Sequence, residues 1–142
     1  MKAVYETRAT AIGGREGCAA SCDGRLKLRL DPPPALGGAG REGTNPEQLF
    51  AAGYAACFLS AIKRVAAGEK IRIAPDSNVT ATVGVGPGPG DTEGGLTLSV
   101  ALAADLPGLD RETGERLVAA AHRVCAFSNA TRGNVDVRLS VI

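Results

Sequence analysis

The sequence predicts an α+β fold with antiparallel sheets and a long buried central helix. Four stretches alternate apolar and polar residues with a period of two, which is typical of half-buried strands. Two further runs, one near the middle of the chain and one near its end, are helix-like. The order strands, helix, strands, helix, strand favours antiparallel pairing with the helices on one side. At 142 residues, the chain is predicted to form a single domain over 1–142.

The first third of the chain predicts two strands and a loop. Residues 2–12 are expected to form an entering strand. Over 26–30, three leucines alternate with two basic residues, which predicts a second strand. The segment 31–43, DPPPALGGAGREG, is expected to be a loop, because proline removes a hydrogen-bond donor and glycine relaxes the backbone.

The first helix is predicted to run from Thr44 to about Ala67. Thr44 and Glu47 have the spacing of a capping box, and Pro46 lies in the first turn, where its missing N–H costs nothing. The first four turns are apolar on almost every face. A helix of this kind is expected to be buried within its own subunit or against a partner.

The second half of the chain returns to the strand pattern. Residues 79–85 and 96–102 predict two strands, and the turn-dense segment 86–95 between them predicts a long hairpin loop. A second helix, capped by Asp110, is expected to extend to about Cys125. Residues 135–141 predict the last strand.

Composition excludes several classes of protein. Sixteen basic and fifteen acidic residues leave a net charge of +1, and the chain has no tryptophan, so no nucleic-acid partner is expected. The uncharged stretch 48–62 is shorter than the ~20 residues that span a bilayer, so no membrane partner is expected. The N-terminus lacks an apolar signal core, which predicts a cytoplasmic location. One histidine and four dispersed cysteines predict neither a metal site nor a disulfide scaffold.

The candidate reactive residues are two thiols and an Arg–Glu pair. Cys57 lies within the first apolar helix and Cys125 at the end of the second. Arg15 in a glycine-rich turn, with Glu47 at the start of the first helix, is a candidate for making a thiol into a thiolate, the reactive form. Other interpretations remain open: Cys57 and Cys125 as small buried side chains, Arg15 as a surface charge, and Glu47 as a helix cap. Spacing alone does not establish that they act together.

Three further residues have ordinary interpretations. His122 lies three residues before Cys125 on the same helical face and is expected to be a structural hydrogen-bonding residue. Cys18 and Cys22 are interpreted as incidental loop thiols, with a regulatory disulfide as the lesser alternative.

Two long segments resemble a known family. GTNPEQLFAAGYAACFLSAI (43–62) and HRVCAFSNATRGN (122–134) resemble the Ohr branch of the Ohr/OsmC family, the organic hydroperoxide resistance proteins. The GGREG turn at 13–17 and the LGGAG stretch at 36–40 fit the same branch. The chain departs from the family pattern where Ala126 and Phe127 replace a proline and a tyrosine.

The resemblance implies a thiol peroxidase without metal, haem or flavin. Cys57 would be the peroxidatic thiol and Cys125 the resolving thiol. Arg15 would stabilise the thiolate and polarise the peroxide, and Glu47 would orient Arg15. The family fold is an intertwined OsmC-like homodimer with its sites at the subunit interface. The implied substrates are organic and fatty-acid hydroperoxides, and the implied reductants are lipoylated proteins or other dithiols.

Aromatic residues near the two thiols are the candidates for substrate binding. Phe50, Tyr54 and Phe127 would supply the preference for apolar substrates. Alternative functions are an OsmC-type peroxidase of broader range, a redox sensor that does not turn over, and a dimer that binds a fatty acid.

Overall fold

A computed structural model describes residues 1–88 and 94–142. Within these residues the chain divides into two compact units, Met1–Leu49 and Phe50–Ile142. The α+β class predicted from the sequence is confirmed, because each unit contains a three-stranded sheet and a long helix begins in the first unit and continues in the second.

The first unit is an antiparallel sheet with short turns. Its strands are β1 (Ala9–Ile12), β2 (Cys18–Ser21) and β3 (Lys27–Arg29), in the order β1-β2-β3. The predicted strand over 2–12 is therefore shorter than expected. The interpretation of Cys18 as a loop residue was wrong, since Cys18 begins β2 and pairs with Arg29 of β3.

The long helix α1 spans Pro46–Gly68. The predicted capping box is wrong: Asn45, not Thr44, caps the helix by accepting the N–H of Gln48 at 2.9 Å. Thr44 instead donates its N–H to the carbonyl of Arg29, at a bridge that extends the strand pairing. Pro46 lies in the first turn, as predicted, and is the first helical residue, where it lacks only a donor that the helix leaves unused.

The second unit is a sheet covered by helices. It contains β4 (Asn78–Pro87), β5 (Leu96–Asp105), α2 (Arg111–Val124), α3 (Ala126–Thr131) and β6 (Val137–Val141). The sheet order is β4-β5-β6.

Strand pairing in this sheet is mixed. β4 and β5 pair antiparallel over ten residue pairs, as predicted, and β6 pairs parallel to β5. The parallel pairing was not expected from the sequence, and it arises because α2 and α3 carry the chain back before β6 begins. Of the predicted hairpin loop over 86–95, residues 86–87 belong to β4, and 89–93 lie outside the described residues.

The core of the second unit lies between α1, β5 and α2. Tyr54, Phe58 and Ile62 follow one another at four-residue spacing, so they share one face of α1, and all three are completely buried. They pack with Val100, Leu102, Ala104, Val118, Ala121 and Cys125. Burial of each large apolar side chain contributes about 1.5–3 kcal/mol to folding.

The remaining faces of α1 are less covered. By length and composition alone, α1 could cross a membrane, although a core helix of a soluble protein can pass the same test. The residues that α1 buries in the core of the second unit fit the second explanation.

Candidate active site

Two cysteine sulfurs lie within the second unit at close range. Cys57 is half-buried on α1, one residue before the buried Phe58, and Cys125 is 2% exposed. Their Sγ atoms are 3.4 Å apart. A disulfide needs about 2.05 Å, so a small displacement would suffice to join them.

Cys125 lies at the junction of two helices. Its N–H closes α2 by donating to the Ala121 carbonyl at 2.8 Å, and its own carbonyl accepts the N–H of Asn129 at 2.9 Å in α3. The backbone of Cys125 is extended, with φ −68° and ψ 128°. This break in helical geometry separates α2 from α3, a short helix that the sequence did not predict, and it places the Cys125 side chain against Cys57.

Groups around Cys57 shift the pKa of its thiol in opposing directions. Burial raises the pKa of Cys57 above its ordinary value, and the neighbouring Cys125 thiol raises it further. Backbone N–H groups of Phe127 and Ala126, in the first turn of α3, act in the opposite direction by hydrogen bonding to the sulfur. Contrary to the expectation of a ready thiolate, the net effect of these neighbours favours the protonated thiol.

The first unit contains the predicted Arg–Glu pair. Arg15 lies in a single 3-10 turn, Gly14–Glu16, between β1 and β2, and Glu47 lies in the first turn of α1. Two parallel hydrogen bonds join the guanidinium to the carboxylate, at 2.9 and 2.6 Å. Hydrogen bonding from Arg15 lowers the pKa of Glu47 and keeps it ionised, and the same bond raises the pKa of Arg15.

The geometry of the Arg15 turn depends on a close backbone approach. A Cβ atom on Gly17 would lie 1.7 Å from the carbonyl oxygen of Ile12. Only glycine fits there, so Gly17 is required for β1 to turn back into β2 with Arg15 in the turn.

Aromatic side chains cluster beside the Cys125 junction. The Phe127 ring lies 6.1 Å from that of Phe50 and 5.7 Å from that of Tyr54. It packs on α1 over Gly53, where a Cβ would approach the ring to 3.2 Å. Phe50 and Phe127 keep exposed surface, as a substrate-binding residue must. The predicted substrate contact for Tyr54 requires correction, because its side chain is 0% exposed and its hydroxyl is used within the core.

A buried polar cluster went unrecognised in the sequence. Ser128 and Thr131 are buried in α3, and the Tyr54 hydroxyl contacts both. His122 Nδ1 lies 2.9 Å from Ser128 Oγ, so the histidine makes a hydrogen bond within this cluster. The available signal was two small hydroxyl residues three apart after Cys125, a spacing that puts them on one helical face.

Potential metal ligands are dispersed in the described part of the chain. Across residues 1–88 and 94–142, no three histidine, cysteine or carboxylate side chains come together in a way that could hold a metal ion. Cys18 and Cys22 are free and exposed.

The fold and the thiol pair define a class of α+β proteins in which a long helix carries one cysteine of a close pair. Comparison with known proteins shows that the chain belongs to the OsmC-like family, whose model, described as OsmC-like protein, matches residues 37–140. The resemblance noted in the sequence is thereby confirmed.

Relatives and solved structures agree over nearly the whole chain. The organic hydroperoxide resistance protein of Xanthomonas axonopodis pv. citri is 50% identical, with 99% of this chain and 96% of the relative covered. Bacillus subtilis OhrB, also named an organic hydroperoxide resistance protein, is 45% identical over 98% of each chain. A crystal structure of an organic hydroperoxide resistance protein from Legionella pneumophila is 54% identical, with a TM-score of 0.90 over 99% of this chain and 98% of that one.

Proposed function

We propose that this protein is a thiol peroxidase that reduces organic hydroperoxides, including those of fatty acids, to alcohols. The observation that carries the proposal is the 3.4 Å separation of the Cys57 and Cys125 sulfurs. The names of the relatives from Xanthomonas and Bacillus support organic hydroperoxides as the substrate class.

The proposed cycle begins at Cys57. Its thiolate attacks the distal peroxide oxygen, the O–O bond breaks, and the alkoxide leaves as an alcohol after taking up a proton. Cys57 is then a sulfenic acid. Cys125 condenses with it to form a disulfide and water, and an external dithiol restores both thiols by exchange.

Activation of Cys57 requires a charge that offsets burial. Because burial raises the pKa of Cys57, a cationic neighbour is needed to make it a thiolate at neutral pH. We assign this role to Arg15, oriented by its two bonds to Glu47. Arg15 would also stabilise the charge that builds on the leaving oxygen. The action of Arg15 on Cys57 is a prediction that Arg15→Lys and Arg15→Ala variants test through the pH dependence of Cys57 alkylation.

The remaining parts of the proposal concern substrate, reductant and assembly. Phe50 and Phe127, which pack together and keep exposed surface, provide apolar contact for the organic group. A dithiol such as a dihydrolipoyl group is the proposed reductant, and the proposed cycle involves no cofactor. The functional form is proposed to be a cytoplasmic homodimer, in a compartment where free thiols persist.

The test is a steady-state assay with cumene hydroperoxide and dihydrolipoamide. Cys57→Ser is expected to abolish turnover. Cys125→Ser is expected to allow one oxidation of Cys57 and then stop under the lipoyl reductant. Cys22→Ser, which changes an exposed cysteine, serves as the matched control and should keep the wild-type rate.

Three outcomes would contradict the proposal or its substrate class. Normal hydroperoxide consumption by Cys57→Ser would show that Cys57 is not the thiol that reacts with the peroxide. A single stoichiometric oxidation of the wild type, without turnover, would favour the redox sensor instead. Comparable rates with hydrogen peroxide and cumene hydroperoxide would point to the broader OsmC-type activity.

A further inference from the structure

A network of hydrogen-bonded side chains joins α3, the helix that follows Cys125, to its neighbours. The proposed cycle makes no use of this network. The Tyr54 hydroxyl donates to Ser128 Oγ at 3.0 Å and lies 3.2 Å from Thr131 Oγ1. His122 Nδ1 is 2.9 Å from the same Ser128 oxygen. Ser128 is 0% exposed, so its hydroxyl depends entirely on these partners.

The network ties together three helices. Tyr54 belongs to α1, which carries Cys57; His122 belongs to α2; and Ser128 and Thr131 belong to α3. Cys125 joins α2 to α3. Because α3 has only six residues, it is too short to be stable alone, and contacts with its neighbours must determine its position.

The surroundings of His122 favour its neutral form. Burial and then the charge of Arg132 lower the pKa of His122. Either His122 Nδ1 or Ser128 Oγ can supply the proton of the bond between them, depending on the tautomer of the imidazole. Arg132 also donates to the His122 carbonyl at 2.7 Å, which ties the residue after α3 to α2.

Hydrogen bonds restrict the orientation of α3 more strongly than apolar packing does. The Phe127 ring packs α3 against α1, but apolar contact tolerates rotation of so short a helix. Hydrogen bonds lose strength steeply as their angles worsen, so the two bonds to Ser128 resist that rotation. Ala126 makes this restraint more important, since alanine, unlike proline, does not fix the φ angle at the start of α3.

We propose that His122 is a positioning residue for the step that joins Cys57 to Cys125. Through Ser128 it fixes the orientation of α3, and so keeps the Cys125 sulfur within reach of oxidised Cys57. This inference rests on the proposed peroxidase cycle. In the step concerned, the Cys125 sulfur bonds to the Cys57 sulfur, the S–O bond of the sulfenic acid breaks, and the hydroxyl leaves with the thiol proton as water.

The test separates oxidation of Cys57 from formation of the disulfide. Reduced protein is mixed with cumene hydroperoxide and quenched at intervals with a thiol-alkylating reagent and a sulfenic-acid trap. Mass spectrometry then counts thiol, sulfenic acid, disulfide and sulfinic acid. His122→Leu keeps volume but removes the polar contact, His122→Asn keeps a polar atom near the position of Nδ1, and Arg123→Asn changes the exposed neighbour as a control.

In His122→Leu we expect the disulfide to form roughly tenfold or more slowly, because misplacing a reacting group by about 1 Å can cost 10²-fold in rate. The rate of Cys57 oxidation should stay at the wild-type value. The sulfenic acid should therefore persist, and excess peroxide should convert more of it to sulfinic acid. His122→Asn should recover most of the wild-type rate of disulfide formation, and Arg123→Asn all of it.

Ser128→Ala provides an independent test if His122→Leu fails to fold, because it removes only the hydroxyl that His122 contacts. Slow disulfide formation in Ser128→Ala, with normal oxidation of Cys57, supports the proposal. An unchanged rate of disulfide formation in the folded variants overturns it, as does equal slowing of both steps. If the wild type itself forms no Cys57–Cys125 disulfide, the proposed function fails, and this result is distinct from failure of the positioning role.

Discussion

At the scale of single residues, the reactivity of Cys57 is a balance of opposing contacts. Burial raises the pKa of its thiol, and two backbone N–H groups at the start of α3 lower it. The same burial that provides an apolar surface for a hydroperoxide therefore works against the thiolate that must attack it. A cationic side chain close to a buried thiol favours the thiolate, and this is the role proposed above for Arg15.

The Arg15–Glu47 pair has a pH dependence of defined sign. Because Arg15 lowers the pKa of Glu47, the pair stabilises the folded protein above the ordinary glutamate pKa of 4.5. That contribution is lost as the pH falls through the lowered pKa of the folded state. We expect wild type to exceed Glu47→Gln in urea midpoint at pH 7, and the difference to shrink towards pH 3.

The control for this titration is Glu16→Gln, which changes the exposed carboxyl next to Arg15. It should leave the urea midpoint at pH 7 close to that of the wild type. A difference between wild type and Glu47→Gln that stays constant from pH 7 to pH 3 would contradict the assignment of the pair.

At the scale of elements, the turn that carries Arg15 depends on Gly17. Since a Cβ there would lie 1.7 Å from the Ile12 carbonyl oxygen, Gly17→Ala must shift the backbone. We expect a loss of about 1–3 kcal/mol in the free energy of unfolding, measured by urea denaturation. Gly68→Ala at the end of α1, where a Cβ meets nothing within 4 Å, is the control and should be neutral or slightly stabilising. Equal stability of the two variants would rule out the close approach.

At the start of α3 we expect a substitution to stabilise the protein, because the backbone there already has the geometry that proline imposes. Cys125 is extended, as the residue before a proline prefers. Ala126 is the first residue of α3, the helical position that proline favours. We expect Ala126→Pro to raise the free energy of unfolding by about 0.4–1 kcal/mol.

Ala130→Pro, inside α3, is the matched control for this substitution. There proline removes an interior donor and clashes with the preceding turn, at a cost of about 3 kcal/mol or more. Thermal unfolding measures both variants. An Ala126→Pro protein as unstable as Ala130→Pro would show that the junction geometry at Cys125 has been misassigned.

At the scale of the whole molecule, α1 leaves apolar surface uncovered in a single chain. Its most apolar window has a mean hydropathy of 1.4 but is only 28% buried, whereas large exposed apolar patches usually mark an interaction surface. We expect the protein to sediment as a homodimer at micromolar concentration, with α1 at the interface. Ala56→Glu, on an exposed position of α1, should weaken the dimer, because a charge would be buried there without a partner.

Ala130→Glu, at an exposed position of α3, is the control for the assembly experiment and should sediment like the wild type. A monomeric wild-type protein at these concentrations would contradict the proposed assembly. So would a stable dimer of Ala56→Glu with unchanged dissociation constant.

Strands and helix starts that depend on residues close together in the sequence could be predicted from it. The alternation over 79–85 and 96–102 corresponds to β4 and β5, and Asp110 caps α2 by accepting the Thr113 N–H at 2.9 Å. Pro46 begins α1. Capping at Asn45 was missed because Thr44 and Glu47 offered an equally good local pattern. In the structure the Thr44 hydroxyl donates to Gln48, and Glu47 binds Arg15.

The sequence by itself determined the α+β class, the two principal helices and the choice of Cys57 and Cys125 as candidate thiols, because periodicity, capping and residue chemistry act over a few residues. Only the tertiary structure decided that two sulfurs 68 positions apart lie 3.4 Å from each other, that β6 runs parallel to β5, and that Tyr54 is a core residue. These features depend on how segments far apart in the chain pack together. No local pattern specifies such distances, since they are set jointly by burial and hydrogen bonding across several elements.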